Sequence, residues 1–158
     1  MKKNAWKSYL LWIGVSEGTG LLAGLLTRDA AVLYGETAAK PPLSPPAIVF
    51  PIVWTILYAL MGIGAARIAL TLPSRSRTHA LLLFVTQLVF NFCWSILFFN
   101  LQAYGFAFFW LLALWALILW MILKFRKIDP LAAALQIPYL IWVTFAAYLN
   151  LGVQLLNR

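Results

Sequence analysis

The residues of this chain with the most chemistry to offer stand inside long apolar runs. Gln87 and Asn91 lie four positions apart, and Trp94 and Phe98 continue the same helical stripe. A carboxamide facing hydrocarbon leaves polar atoms unpaired, so both amides must face other helices or a cavity. That leaves two readings, hydrogen bonds between helices and a polar anchor in a ligand pocket. Trp54 and Tyr58 share a helix face as well. Their stripe suits an aromatic belt at the membrane surface or a ligand wall. Trp142, Ala146 and Asn150 form a third stripe, with Tyr139 one turn earlier. It reads as a helix seam or a pocket wall. Glu17 is an acid within an apolar run, which marks it for function by default. The plainer alternative is a protonated carboxyl bonded to a neighbour.

Several chemistries are missing. The sequence carries no Ser–His–Asp set, no phosphate-binding glycine loop and no run of acidic metal ligands. The lone His79 belongs to a basic, solvated flank, and the lone Cys93 reads as a small buried residue that cannot form an internal disulfide. One His and one Cys argue against a zinc site, and no metal is expected. Any catalysis must use aromatic side chains or a bound photosensitiser.

The elements that position these residues follow from composition and charge. Of 158 residues, 64% are hydrophobic and 10% charged, against about a quarter charged in soluble domains. Lipid is therefore the main solvent. Charge-free gaps of 26, 44 and 28 residues separate Lys40 from Arg67, His79 from Lys124 and Asp129 from Arg158. A spanning helix needs ~20 residues, so the longest gap holds two spans, with a turn at residues 100–105. The stretch from Trp6 to Leu26 supplies a fifth. The expected architecture is an all-α, single-domain bundle of five transmembrane helices at about 6–26, 48–70, 80–100, 104–124 and 131–155. Its first loop, about 27–47, is the one long extramembrane segment. Continuous apolar runs exclude the alternating pattern of a β-barrel. Glu17 and the length of the first run argue against a signal peptide.

Nine of the twelve basic residues fall on the side of the N-terminus and three on the other. The positive-inside rule then puts the N-terminus in the cytoplasm and the C-terminus outside, in what reads as a bacterial cell membrane. The net charge of +8 sits in short flanking clusters, so no nucleic-acid partner is expected. Pro41, Pro42, Pro45 and Pro46 stiffen the end of the first loop, as a helix-start segment or as a lid over the bundle. Pro138 is expected to kink the last span. Gly14, Gly18, Gly20 and Gly24 offer close helix approach. Trp110, Trp115 and Trp120, spaced by five, read as lipid- or interface-facing. Five spans cannot divide into the inverted halves of many transporters.

Three segments together resemble a known family. They are Pro45-Pro46 through Pro51, Trp54 and Tyr58 to Gly62; Gln87 through Asn91 and Trp94 to Phe99; and Pro138-Tyr139 through Trp142 and Ala146 to Asn150. Their order and spacing are similar to the tryptophan-rich sensory protein and translocator protein family, the peripheral-type benzodiazepine receptors. The resemblance implies a five-helix bundle, commonly a homodimer, that binds protoporphyrin IX and isoquinoline carboxamide or benzodiazepine ligands near the first loop. It implies ligand-binding roles for Pro45, Trp54, Tyr58, Asn91, Trp94, Trp142 and Ala146. It also associates Trp54 and Trp142 with light-dependent porphyrin breakdown. No cofactor is obligatory in this reading, and the tetrapyrrole enters as a ligand. Two departures leave the lid less aromatic. Leu43 stands where the family pattern has Trp, and Tyr34 is followed by Gly35 in place of a Trp-Tyr pair. The animal cholesterol motif is missing its base, since Tyr148 is followed by none until Arg158.

Function therefore reads first as a membrane receptor or sensor for a flat lipophile. The alternatives are a light- and oxygen-dependent porphyrin-degrading enzyme using Trp54 and Trp142, a transporter of porphyrin or other lipophiles, and a scaffold associating through the glycine-rich first span.

Overall fold

The computed structural model describes residues 4–158, so Lys2 and Lys3, two of the nine basic residues behind the orientation argument, lie outside the described residues. The chain forms α1 (Ala5–Thr37), α2 (Val49–Ala69), α3 (Arg75–Ser95), α4 (Tyr104–Arg126), α5 (Pro130–Ala134) and α6 (Ile137–Leu156). A π-helical turn, Ile96–Asn100, extends α3, and α5 with α6 makes the last span. Among the described residues, five stretches are long and apolar enough to cross a bilayer. Leu10, Leu82, Phe109 and Ile141 project outward, each more than half exposed. A surface this apolar is stable against hydrocarbon and not against water.

Local chemistry sets the helix ends. The Ser74 hydroxyl accepts from the Arg77 N–H at 3.1 Å and caps α3. The Arg77 guanidinium donates to the carbonyls of Ala69 and Thr71 at 3.2 and 3.0 Å, closing the end of α2. Asp129 caps α5, accepting from the N–H groups of Leu131 and Ala132. It also pairs with Arg67 at 2.8 Å, tying the end of α2 to the last turn before α5. Burial pushes the Asp129 carboxyl up, but the Arg67 bond and the two N–H donors outweigh it and hold it below the ordinary value. A depressed acid contributes stability above its ordinary pKa, and that contribution is lost as pH falls through the lower folded value. Asp129→Asn is therefore expected to lower the thermal midpoint in detergent at neutral pH. The gap to the parent chain should close in strong acid. A gap that persists undiminished there would rule out the ionic origin.

The structure revises several expectations. The first helix does not stop near residue 26 but runs to Thr37, so the loop before α2 is short, residues 38–48. Arg28, Asp29 and Glu36, taken as loop charges, stand on its last turns. No proline occurs between Leu26 and Thr37, and Gly35 falls only in the last turn, so propensity carries the helix onward. The third span begins earlier, at Arg75, because Ser74 supplies its cap. Chain reversal between α3 and α4 needs only Leu101, Gln102 and Ala103, with Gln102 at φ 50°. Gly105 therefore lies inside α4. The last span is broken at Leu135 and Gln136, and Pro138 lies in the first turn of α6, where its missing N–H has no intrahelical partner to lose.

Helix contacts bring α1 against α2, and α4 between α3 and α6. Of the α1 glycines, Gly14, Gly18 and Gly24 have nothing within 4 Å of a would-be Cβ, so they are not what lets the helices approach. That role falls to Gly62 on α2, where a Cβ would lie 2.5 Å from Ile13 Cα. Gly20 is the exception on α1, because the Tyr58 ring lies directly on it. The tryptophans of α4 are also corrected. Only Trp120 is mostly exposed. Trp110 stacks on Phe90 at 4.4 Å and donates to its carbonyl at 2.8 Å. Trp115 donates to the Thr144 hydroxyl at 2.8 Å. An indole N–H inside a bilayer needs an acceptor, and both found one on a neighbouring helix.

Candidate functional site

A cavity of about 740 Å³ opens among α1, α2, α3, α6 and the loop ahead of α2. Its volume lies within the range of small-molecule sites, ~300–1,000 Å³. Pro45, Trp54, Tyr58, Asn91, Trp94, Trp142 and Ala146 all line it. They come from the loop and three helices, so tertiary packing alone brings them together.

Each stripe reaches the cavity in its own way. Trp54 and Tyr58 lie tilted to one another at 5.5 Å, and Trp54 meets the edge of Tyr139 at 6.1 Å. On α3, Asn91 is 1% exposed and its amide is shared between two phenols. Tyr58 donates to Asn91 Oδ1 at 3.3 Å, and Asn91 Nδ2 donates to the Tyr139 hydroxyl at 2.8 Å. Tyr139 in turn donates to Gln87 Oε1 at 2.7 Å. Asn91 thus serves both readings of its stripe: it joins α2, α3 and α6, and it stands on the cavity wall. Gln87 lies behind it and does not line the cavity.

Trp94 directs its N–H away from ligand chemistry, donating to Asn150 Oδ1 at 3.0 Å. Asn150 Nδ2 donates to the Tyr104 carbonyl at 2.8 Å. Trp142 packs edge-on to Phe50 at 5.9 Å. Its Nε1 is buried with no acceptor among the described residues. A buried donor without an acceptor is a standing cost within the bundle.

The loop closes one end. Asn157 clamps Ala39 from both sides, accepting from its N–H at 2.9 Å and donating to its carbonyl at 2.8 Å. The Tyr148 hydroxyl donates to the Pro42 carbonyl at 2.7 Å. Pro41 rests on Gly152, where a Cβ would come within 2.5 Å of the ring. Leu43, in place of the family's Trp, is exposed and sits at φ 69°. The left-handed backbone turns its side chain away from the bundle, and Ser44 holds the turn by donating to the Pro41 carbonyl at 2.7 Å. Lys40 lines the same end, donating to the carbonyls of Gly35 and Ala38 and lying 5.1 Å above the Tyr34 ring.

Reasoning from stripes missed the contribution of α1. Gly20, Gly24, Thr27, Ala31 and Tyr34 line the cavity at helical spacing. The signal was a run of small residues on one face, and it was attributed to helix approach. The role of Tyr139 was also missed, because a phenol on a seam carries no sign of which partner it will meet.

A family model described as TspO/MBR matches residues 9–156. The chain belongs to the TspO/MBR family. It is accordingly an integral membrane protein of the translocator type. The chain is 35% identical to the tryptophan-rich protein TspO of Chlorobaculum tepidum, covering 93% of this chain and 94% of that one. It is 32% identical to the tryptophan-rich sensory protein of Cereibacter sphaeroides, over 96% and 92%. Similarity extends to animals: it is 34% identical to the translocator protein of Ovis aries, over 83% and 79%. The TspO/MBR match takes in all six helices except the first four residues of α1, so the cavity lies wholly within the shared fold.

Proposed function

We propose that this TspO/MBR-family chain is a membrane receptor or sensor that binds protoporphyrin IX, or a related flat lipophile, in the cavity beneath the loop. The observation that carries this reading is the convergence of Trp54, Tyr58, Trp94 and Trp142 on one cavity whose buried polar anchor is Asn91. Apolar, aromatic walls with few polar groups suit a broad, flat, weakly hydrated molecule. Isoquinoline carboxamide and benzodiazepine ligands would compete for the same walls. The N-terminus faces the cytoplasm in this proposal, which puts the loop and the cavity mouth outside.

Titration of the purified protein with protoporphyrin IX, read by tryptophan quenching, tests the proposal. Saturable quenching is expected, with Trp54→Ala weakening affinity about fivefold or more, as loss of a buried aromatic anchor does. Equal affinity in Trp54→Ala and the parent chain would remove the porphyrin from this cavity.

A second reading, a light- and oxygen-dependent porphyrin-degrading enzyme, draws on the placement of Trp54 and Trp142 in the wall of one cavity. Here light and oxygen would act on the bound porphyrin, and both indoles would handle the radical or reactive oxygen species that then attack the ring. Bleaching of the porphyrin Soret band under illumination should slow in Trp54→Phe and Trp142→Phe. Bleaching at the parent rate in both would exclude a part for the protein.

A further inference from the structure

From the position of Glu17 we infer that the cavity holds a recognition site for the protonated amine of a flat aromatic lipophile. This rests on the reading of the cavity as a lipophile site and adds the charge that the site selects. Glu17 lines the cavity on the same face of α1 as Gly20, one turn away, onto which the Tyr58 ring packs. It stands seventeen positions before Tyr34, which places it ~26 Å along α1 from the loop end. The carboxyl therefore belongs to the end of the cavity far from the lid.

The Glu17 carboxyl has no hydrogen-bond or ion-pair partner among the described residues. Its neighbours one turn away on α1 are Ile13, Gly14, Gly20 and Leu21, none of them basic or able to donate from a side chain. Across the interface the Tyr58 hydroxyl already donates to Asn91. Lys40, the cavity's other charged lining residue, is engaged at the opposite end by the Gly35 and Ala38 carbonyls and the Tyr34 ring. An uncompensated carboxylate in a bilayer is costly, and intramembrane acids persist where they serve a pathway or a ligand. A protonated amine entering the cavity supplies the missing donor as a charge-assisted hydrogen bond. The indole and phenol rings lining the cavity add cation–π attraction for the same cation. The same charge repels carboxylates, so an anionic lipophile must bind with its acidic groups toward the Lys40 end.

The experiment compares 1-pyrenemethylamine, a cation at neutral pH, with 1-pyrenemethanol, which has the same flat body and no charge. Both are titrated into the full chain in nanodiscs, read by energy transfer from tryptophan to pyrene, with empty nanodiscs subtracted. The protein should prefer the ammonium over the alcohol by about tenfold, the scale of one charge-assisted bond. Glu17→Gln should collapse that preference, and Glu17→Asp should keep part of it. The inference is overturned if the parent chain binds the two probes alike, or if Glu17→Gln keeps the parent preference. The parent chain's preference stands as a test even where a Glu17 variant fails to fold. Protoporphyrin IX quenching in the same sample separates the two claims. Porphyrin binding without ammonium preference overturns the role of Glu17 alone, whereas absence of binding by all three probes overturns the cavity reading and this inference with it.

Discussion

Replacing Asn91 by Leu is expected to destabilise the bundle and to weaken ligand binding in one step. The substitution keeps the side-chain volume and removes both amide groups. Tyr58 then loses its acceptor, and Tyr139 loses the donor that reaches its hydroxyl. Tyr139 keeps its bond to Gln87 at 2.7 Å, so the network shortens without disappearing. Interhelical hydrogen bonds in membrane proteins average about 0.6 kcal/mol, because the unfolded helices also find partners in lipid. A buried hydroxyl left unsatisfied costs about 1–3 kcal/mol. The second effect dominates here, since Tyr58 and Asn91 are 5% and 1% exposed. A loss of about 1–2 kcal/mol is expected in detergent unfolding. Adding Tyr58→Phe to Asn91→Leu should restore part of it, because the orphaned hydroxyl is then gone. A double variant no more stable than Asn91→Leu alone would break this account. For binding, the same substitution deletes the cavity's buried anchor, and affinity for an isoquinoline carboxamide should fall about tenfold, the worth of one buried hydrogen bond.

The loop should act as a lid whose fastening sets how long a ligand stays. Three hydrogen bonds join it to α6, two through Asn157 and one through Tyr148, and Pro41 seats on Gly152. Each such bond is worth about 0.5–1.5 kcal/mol, and these are exposed, so the lower end applies. The pair Tyr148→Phe with Asn157→Ala then forfeits about 1.5 kcal/mol of lid closure, or roughly a tenfold rise in release rate. Association should change little, because the orientation of the pocket walls is untouched and affinity changes within one site fall mostly on dissociation. Stopped-flow displacement of bound protoporphyrin IX by excess isoquinoline carboxamide measures the rate. Release at the parent rate in the double variant would mean that the lid does not gate the cavity. Gly152→Val offers an independent check, since its side chain would push Pro41 away and should speed release by the same route.

Much of this molecule was legible before any coordinates. The charge-free gaps counted the helices because a charge in hydrocarbon is expensive while an apolar side chain there is not. The stripes at 54 and 58, at 91, 94 and 98, and at 142 and 146 all turned toward one cavity. Helical periodicity is enough to predict a shared face. The sequence also carried the lid's prolines and the intramembrane Glu17. Helix ends were less legible. The end of α1 depended on the absence of a proline before Pro41, and the start of α3 on a single capping serine.

What only the tertiary structure decided was which polar atoms meet. Periodicity places Asn91 and Tyr139 on inward faces, but it cannot say that one amide serves two phenols from different helices. Nor could it say that Trp94 spends its N–H on Asn150 while Trp142 keeps its own unused. In lipid, each of those atoms must find a partner or remain a standing cost, and the choice is made by interhelical distance and rotation, which no single helix encodes. The sequence determined that this chain crosses the membrane five times and turns the aromatic stripes of its second, third and last spans inward. Packing decided that the inward stripes enclose a cavity, with Asn91 bonded into its wall and Glu17 without a partner among the described residues.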